Sequence, residues 1–384
     1  MKVFDVAIIG GGVIGASIAF ELAAEKLNVV LLDRSEPGRG ATWAAAGMLS
    51  PGPDSRDALP LVPLAKESLQ LYPKFVAALE EASHLHTHFA AKGALQIFFG
   101  AQAEVECSSM IAESRALDIA IDPVPLETAR NMENAIGPAA RAAAWLPGEA
   151  TVDPRLLMDA LLAALRHREV EIRSGCHVTS FLRQGTTCTG LTASGDEIAA
   201  KVVVVAAGCH SSALTVEGSL DNSWLSRHAP TRPVRGQMLA LRSAEVNLGR
   251  VLRSERGYLV PRLDGRIVAG STLEEVGFDK RVTAGGIRKI LDAAIELVPD
   301  LAGAEIVETW AGLRPATPDH LPILGPADVE GLFIATGHYR NGILLAPVTA
   351  KLVRDWILNK KMPAVAATFS PLRFAERKLQ SSAS

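Results

Sequence analysis

The chain has 384 residues, 48% of them hydrophobic and 5% aromatic, with a formal net charge of −3. That length suffices for two lobes and a large core, and without long blocks of like charge neither a nucleic-acid surface nor a polybasic membrane surface is expected. Cys107, Cys176, Cys188 and Cys209 show no Cys-x-x-Cys spacing, so they read as reduced thiols of a cytoplasmic protein, with neither a metal nor a disulfide framework.

The apolar start, residues 1–9, could pass for a signal peptide, but Asp5 interrupts it and a glycine fingerprint stands where a cleavage site would fall. No stretch reaches about 18 uninterrupted apolar residues, so no membrane-spanning helix is expected.

Residues 3–9 read as a strand buried on both faces of a parallel sheet. A helix follows from about Val13 to Lys26, with Ile14, Ile18, Ala19 and Leu22 on one face, and residues 28–33 form a second buried strand ending in Asp33. This is a βαβ opening, with Gly10, Gly12 and Gly15 in the turn between strand and helix. Residues 50–64, rich in Pro, Gly and Asp, read as a long loop. Helical stretches come next, then a strand at 93–99. Asp153 and Pro154 supply an N-cap and a first-turn proline for a helix through Arg168. A strand at 170–172, a hairpin over 185–196 and a buried strand at 201–208 complete that segment. From 230 to 314 shorter strands with hairpin glycines predict an antiparallel sheet, interrupted by one helix capped by Thr283. The chain returns to a buried strand at 332–336 and enters a helix opened by Asn341; residues 376–384 read as a disordered tail. The fold class is α/β: a Rossmann-like nucleotide domain, 1–50, 150–225 and 325–375, with a second antiparallel-sheet α+β substrate domain, 51–149 and 226–324.

A Gly-x-Gly-x-x-Gly turn alone also occurs for packing. Here the strand before it, the helix after it and Asp33, 18 positions beyond Gly15, form the setting in which backbone N–H groups approach a pyrophosphate and an acid accepts from a ribose hydroxyl. A 2′-phosphate would meet Asp33 with like charge, which disfavours NADP. Between NAD and FAD, the small residues of "GRGATWAAAGMLSP", 38–51, allow main chain to press against a flat ring, and the Ala-Gly ending of the 201–208 strand suits a second close approach. An Ala-rich helix is the other reading of 38–51.

Gly10-Gly-Gly-Val-Ile-Gly15, Ala44-Ala-Ala-Gly-Met-Leu49, Arg232-Pro-Val-Arg-Gly-Gln237, Ala311-Gly-Leu-Arg-Pro315, Thr317-Pro-Asp-His-Leu-Pro322 and Gly337-His-Tyr-Arg-Asn-Gly342 together resemble the glycine oxidases of thiamine biosynthesis, within the D-amino-acid oxidase and sarcosine oxidase superfamily of FAD enzymes. The likeness runs in order along nearly the whole chain. It implies FAD bound by Gly10, Gly12, Val13, Ile14 and Gly15, by Asp33, Arg34 and Thr42, and by Ala45, Ala46, Gly47 and Met48. It adds Val178, Ala207 and Gly208, then His338, Arg340, Asn341, Gly342, Ile343 and Leu344, with the last helix aiming its N-terminus at the pyrimidine end of the flavin. It also implies a substrate carboxylate gripped by the Arg314 fork and by the Tyr258 hydroxyl, with Arg340 nearby. Two positions depart from the family pattern: Arg256 stands where histidine is familiar and Leu273 where methionine is familiar, so that Leu273 would edge the pocket while Arg256 turns to solvent for want of a buried partner.

No cysteine lies in 311–325, where sarcosine oxidases attach flavin, so the FAD should be non-covalent. His84, His86 and His88 read as incidental surface histidines, and no metal is expected. The resulting expectation is oxidative deamination of glycine or a similarly small amine, with O2 as acceptor, in a homo-oligomer. An oxidase of sarcosine or D-amino acids, a dehydrogenase, or a flavin-binding protein without turnover are the alternatives.

Overall fold

The computed structural model describes residues 2–53, 55–216 and 224–374; the expected tail lies outside them. Two large sheets organise the chain. The first has nine strands around a parallel centre. Val3–Ile9 pairs in parallel with Val29–Leu32 on one side and with Asp196–Val205 on the other. The long strand Asp196–Val205 is shared along its other edge: its first half pairs antiparallel with Thr187–Ala193, and Val203–Val205 pairs in parallel with Leu332–Ile334. Val202 to Val205 are buried, as a valine run covered on both faces requires.

The opening helix, Val13–Ala24, the helix Pro154–His167 and the closing helix, Gly342–Asn359, share one core with that sheet. So does Val62–Ser83, a piece of the 51–149 segment expected in the second lobe; its Leu64, Tyr72, Phe75 and Leu79 match the apolar face of the closing helix, and burial of that stripe decides where it packs. The 50–64 loop is also shorter than expected, because Arg56–Leu61 forms a 3₁₀ turn and Pro63 opens the helix.

The second sheet has eight strands and is antiparallel except where Val251–Arg253 runs parallel to Ala94–Phe98. Its alternation is plain: Leu239, Leu241, Leu252, Leu259 and Ala269 point to the helix Ala284–Leu297, while Met238, Ala240, Val251, Val260 and Trp310 point to Ala44 and Ala46. Thr283 caps that helix by accepting from the Gly286 N–H, and Asp153 caps Pro154–His167 by accepting from Arg155 and Leu156.

The closing helix carries Pro347 in its second turn. Proline has no N–H to give the Ile343 carbonyl, and the Tyr72 hydroxyl donates to it instead at 2.8 Å. Ser68 likewise donates to the Leu344 carbonyl, at 2.6 Å. Tyr72→Phe leaves a buried carbonyl unsatisfied and is expected to cost about 1–3 kcal/mol in urea unfolding, and less in a Pro347→Ala background, where the helix supplies its own donor; equal costs in both backgrounds would refute the substitution of hydroxyl for amide.

Candidate active site

The parallel strands all end on the same side, and the residues that follow them line one cavity of about 670 Å³: Gly10 and Gly12 after the first strand, Asp33 and Arg34 after the second, Ala206 to Gly208 after Asp196–Val205, and Gly337 to Ile343 after Leu332–Thr336. This is the crevice where doubly wound sheets take their ligands.

At one end the cavity is built for a nucleotide. Gly10 has φ +106°, and a side chain there would run into the Ala206 carbonyl, so only glycine makes the turn. Gly15, in contrast, does not line the cavity; any Cβ on it would collide with the Gly10 carbonyl, so its task is to let the helix lie against the strand. The Asp33 carboxylate accepts from the Gly11 N–H and the Ser35 N–H, both at 2.8 Å, which fixes it at the cavity wall. Gly12, the N-cap of the opening helix, offers no side chain, and the Val13 N–H is held by the Thr42 Oγ1 at 3.0 Å, leaving that hydroxyl proton for a cavity acceptor. Arg34 lies 2.6 Å from His210 Nε2. Burial, then the Arg34 and Lys280 charges, push His210 down to about 4, so its imidazole is neutral at ordinary pH.

At the middle the Ala-rich segment is an irregular turn and a two-residue strand rather than a helix. Its carbonyls are turned toward the second sheet: Trp310 Nε1 donates to Ala44 at 3.1 Å and Arg262 Nη2 to Ala46 at 2.7 Å. Ala45, Ala46, Gly47 and Met48 line the cavity, as do Val178 and Ala207. The closing helix opens here. Its N-cap, Asn341, makes no side-chain cap bond, so the first helical N–H groups have no capping side chain and the positive helix end faces the cavity through Gly342 and Ile343. Leu344 is 2% exposed, packed in the core and off the cavity wall: one residue on, the helix has turned its side chain by about 100°. His338 lies on the wall, wholly buried beside Thr349 Oγ1 at 3.0 Å, and burial pushes it down to about 3.

At the far end stand Arg314, Tyr258 and Arg340. The Tyr339 N–H donates to the Pro315 carbonyl at 3.1 Å, which ties the Arg340 turn to the Arg314 strand. The Arg314 guanidinium donates to the Thr272 carbonyl and to Ser271 Oγ, at 3.1 and 2.8 Å, and lies directly over Gly236, where a Cβ would strike it. The Tyr258 hydroxyl rests 3.4 Å from Met238 Sδ, a weak acceptor that a carboxylate would displace. Of the two positions that depart from the family pattern, Arg256 is exposed and paired with Glu296 at 3.0 Å, as expected. Leu273 is 60% exposed and off the cavity wall, contrary to the expected pocket edge, because Thr272 and Glu274 on either side of it turn their side chains to Gln237 and so send Leu273 the other way. Among the wall residues that sequence reasoning passed over are Arg253, His210 and Lys280. Arg253 is opposite Tyr258 in the strand register, a pairing that only the sheet reveals.

Residues 5–356 match the family described as FAD dependent oxidoreductase, and the chain belongs to that family. It is 34% identical to the glycine oxidase of Pseudomonas putida, over 96% of this chain and 98% of that protein. It is 36% identical to the bifunctional protein ThiO/ThiG of Trichormus variabilis, over 97% of this chain but 55% of that protein. The crystal structure of glycine oxidase from Geobacillus kaustophilus superposes with a TM-score of 0.89 at 33% identity, covering 96% of this chain and 98% of that one. The cofactor is FAD. The helix N-termini opened by Gly12 and Asn341, the Gly10 turn and the fixed Asp33 carboxylate fit a pyrophosphate, a ribose and an electron-rich ring along one cavity.

Two measurements follow from this geometry. Asp33→Ala is expected to lower FAD retention on gel filtration at dilute protein, whereas full retention would remove Asp33 from the ribose site. Gly236→Ala forces Arg314 aside and is expected to raise KM for the amine by about tenfold or more, the value of a charged hydrogen bond, with flavin content maintained; an unchanged KM would show that Arg314 does not need its present place.

Proposed function

We propose that this chain is an oxidase of glycine or a similarly small amine, and the observation that carries the reading is the joining of Arg314, Tyr258 and Arg340 to the FAD cavity at the end where the closing helix begins. Bound there, FAD supplies a two-electron acceptor for the hydride of the substrate α-carbon, and O2 serves to reoxidise it. The chain's own residues do the rest. Arg314 grips the carboxylate with its planar fork, and Tyr258 leaves Met238 to add a second hydrogen bond. The N–H groups of Gly342 and Ile343 face the region where negative charge collects on reduction. Among the described residues on the cavity wall the one carboxylate, Asp33, stands at the nucleotide end, so no side-chain base is assigned and the substrate binds as its neutral amine. The imine leaves to hydrolyse to glyoxylate and ammonia, with peroxide as the oxygen product, or is passed onward intact. The relative named ThiO/ThiG supports the second fate, supply of an imine for thiazole synthesis.

The FAD-binding unit comprises 1–50, 150–225 and 325–375 in this reading, joined by Val62–Ser83, and the substrate-binding unit comprises the remainder of 51–149 with 226–324. The cysteines are free thiols, in keeping with a cytoplasmic enzyme holding FAD non-covalently; a homo-oligomer is part of the same reading, and light scattering tests it.

Purified protein is expected to form peroxide with glycine and sarcosine at higher kcat/KM than with D-phenylalanine or D-aspartate, and to release intact FAD in acid. Arg314→Lys keeps the charge but loses the fork, so apparent affinity is expected to fall by one to two powers of ten, on the order of 1.5–3 kcal/mol. Absence of peroxide with every small amine, or equal kinetics for the lysine variant, would overturn the reading.

A further inference from the structure

We infer that the cavity contains a second carboxylate site, built on Arg253 and held silent by Glu149, and that Glu149 is thereby a specificity determinant against amino acids bearing two acidic groups. The inference rests on the amine-oxidase reading for its substrate class.

Arg253 and Tyr258 are direct partners across antiparallel strands, so their side chains stand together on the face that looks into the cavity. The substrate end therefore has a third guanidinium beside those of Arg314 and Arg340, with Tyr258 in the same floor. Arg253 keeps 17% of its side chain exposed on the cavity side, while Glu149 behind it keeps 5% and does not touch the cavity. Arg253 Nη1 lies 3.0 Å from Glu149 Oε1 and 3.2 Å from Ser50 Oγ, and Ser50 donates to the same carboxylate at 2.6 Å.

Only one nitrogen of the fork carries these bonds. Arg253 Nε is buried with no acceptor, although a guanidinium held purely as a tether would normally spend its paired donors on the carboxylate. A carboxylate in contact with a cation cancels most of its field at short range, and it repels any further anion that approaches. Wild-type Arg253 therefore presents shape but little charge to a substrate. With the Glu149 charge removed, the same side chain, which already lines the cavity, offers an uncompensated cation beside Tyr258. Neutralising one buried acid is enough to convert a site for amino acids with one carboxylate into a site for those with two.

The test compares the holoenzyme with its Glu149→Gln variant. Peroxide formation gives kcat/KM for iminodiacetate against sarcosine and for D-aspartate against D-alanine, pairs that differ in a second acidic group on either side of the amine carbon. Malonate binding is read separately from the flavin absorption spectrum. In Glu149→Gln at least one of the two ratios is expected to rise about ten- to a hundredfold and malonate to bind tighter by a similar factor, the range of one charged hydrogen bond. Adding Arg253→Met to that variant is expected to remove both gains. Unchanged ratios and unchanged malonate affinity would overturn the inference, as would a gain that survives the loss of Arg253; a lower melting temperature as the one effect would mark the pair as a tether. If Glu149→Gln does not fold, Glu149→Ala removes the same charge with room for water. Should wild type oxidise neither sarcosine nor D-alanine, the amine-oxidase reading fails, while malonate titration still decides for or against the silent site.

Discussion

The architecture hangs on how the segment from Trp43 to Met48 is held between the two sheets. Its peptide groups cannot pair within the segment, since it is neither helix nor long strand, and buried carbonyls must find donors. Trp310 and Arg262, both from the second sheet, provide them for Ala44 and Ala46, and the Val152 N–H provides one for Gly47 at 2.9 Å. Arg155 completes the clamp: its guanidinium stacks 3.7 Å over Trp43, lies 4.9 Å from Trp310 and forms both bonds of a fork with Glu308. Arg262 in turn is paired with Asp153, the N-cap of the helix whose first turn holds Arg155. One set of bonds therefore fixes the cavity-facing main chain between the two sheets.

This clamp also explains why small residues recur where the sheets approach. Gly312 and Gly236 are partners in register. The first makes room for Ala44 and the second for the Arg314 guanidinium. A side chain on either would push Ala44 or the Arg314 guanidinium out of its place on the cavity wall.

Much of this was legible in the residue string because backbone demands are local. The Gly10 turn, the Asp33 strand end, the Asp153 and Thr283 caps and the valine strand are each decided within a few positions, and the structure has them where the pattern puts them. The misplacements have a different cause. Gly15 and Leu344 belong to motifs whose neighbours touch the cavity, yet helix rotation and helix-to-strand contact turn these two inward. Val62–Ser83 joined the first core through a tertiary match with the closing helix that no local signal specifies. Arg253 became visible only through the register that sets it opposite Tyr258, and Leu273 faces solvent because the bridge of Glu274 to Arg235, distant in sequence, turns its neighbours inward.

The central parallel sheet takes Leu332–Thr336 from near the end of the chain and seats it beside Asp196–Val205, which in turn flanks Val3–Ile9. During synthesis the first strand is thus made long before its neighbours, and the fingerprint turn, although complete early, waits with half its cavity missing. Pairing of such high sequence separation is slow and leaves apolar strand edges uncovered in the interim. A cofactor that binds only the closed arrangement draws the late-arriving helix into place by mass action. Flavin in the cavity therefore adds to the stability of the native arrangement, and it does so in part through Gly342–Asn359, a helix made late that completes the cavity wall.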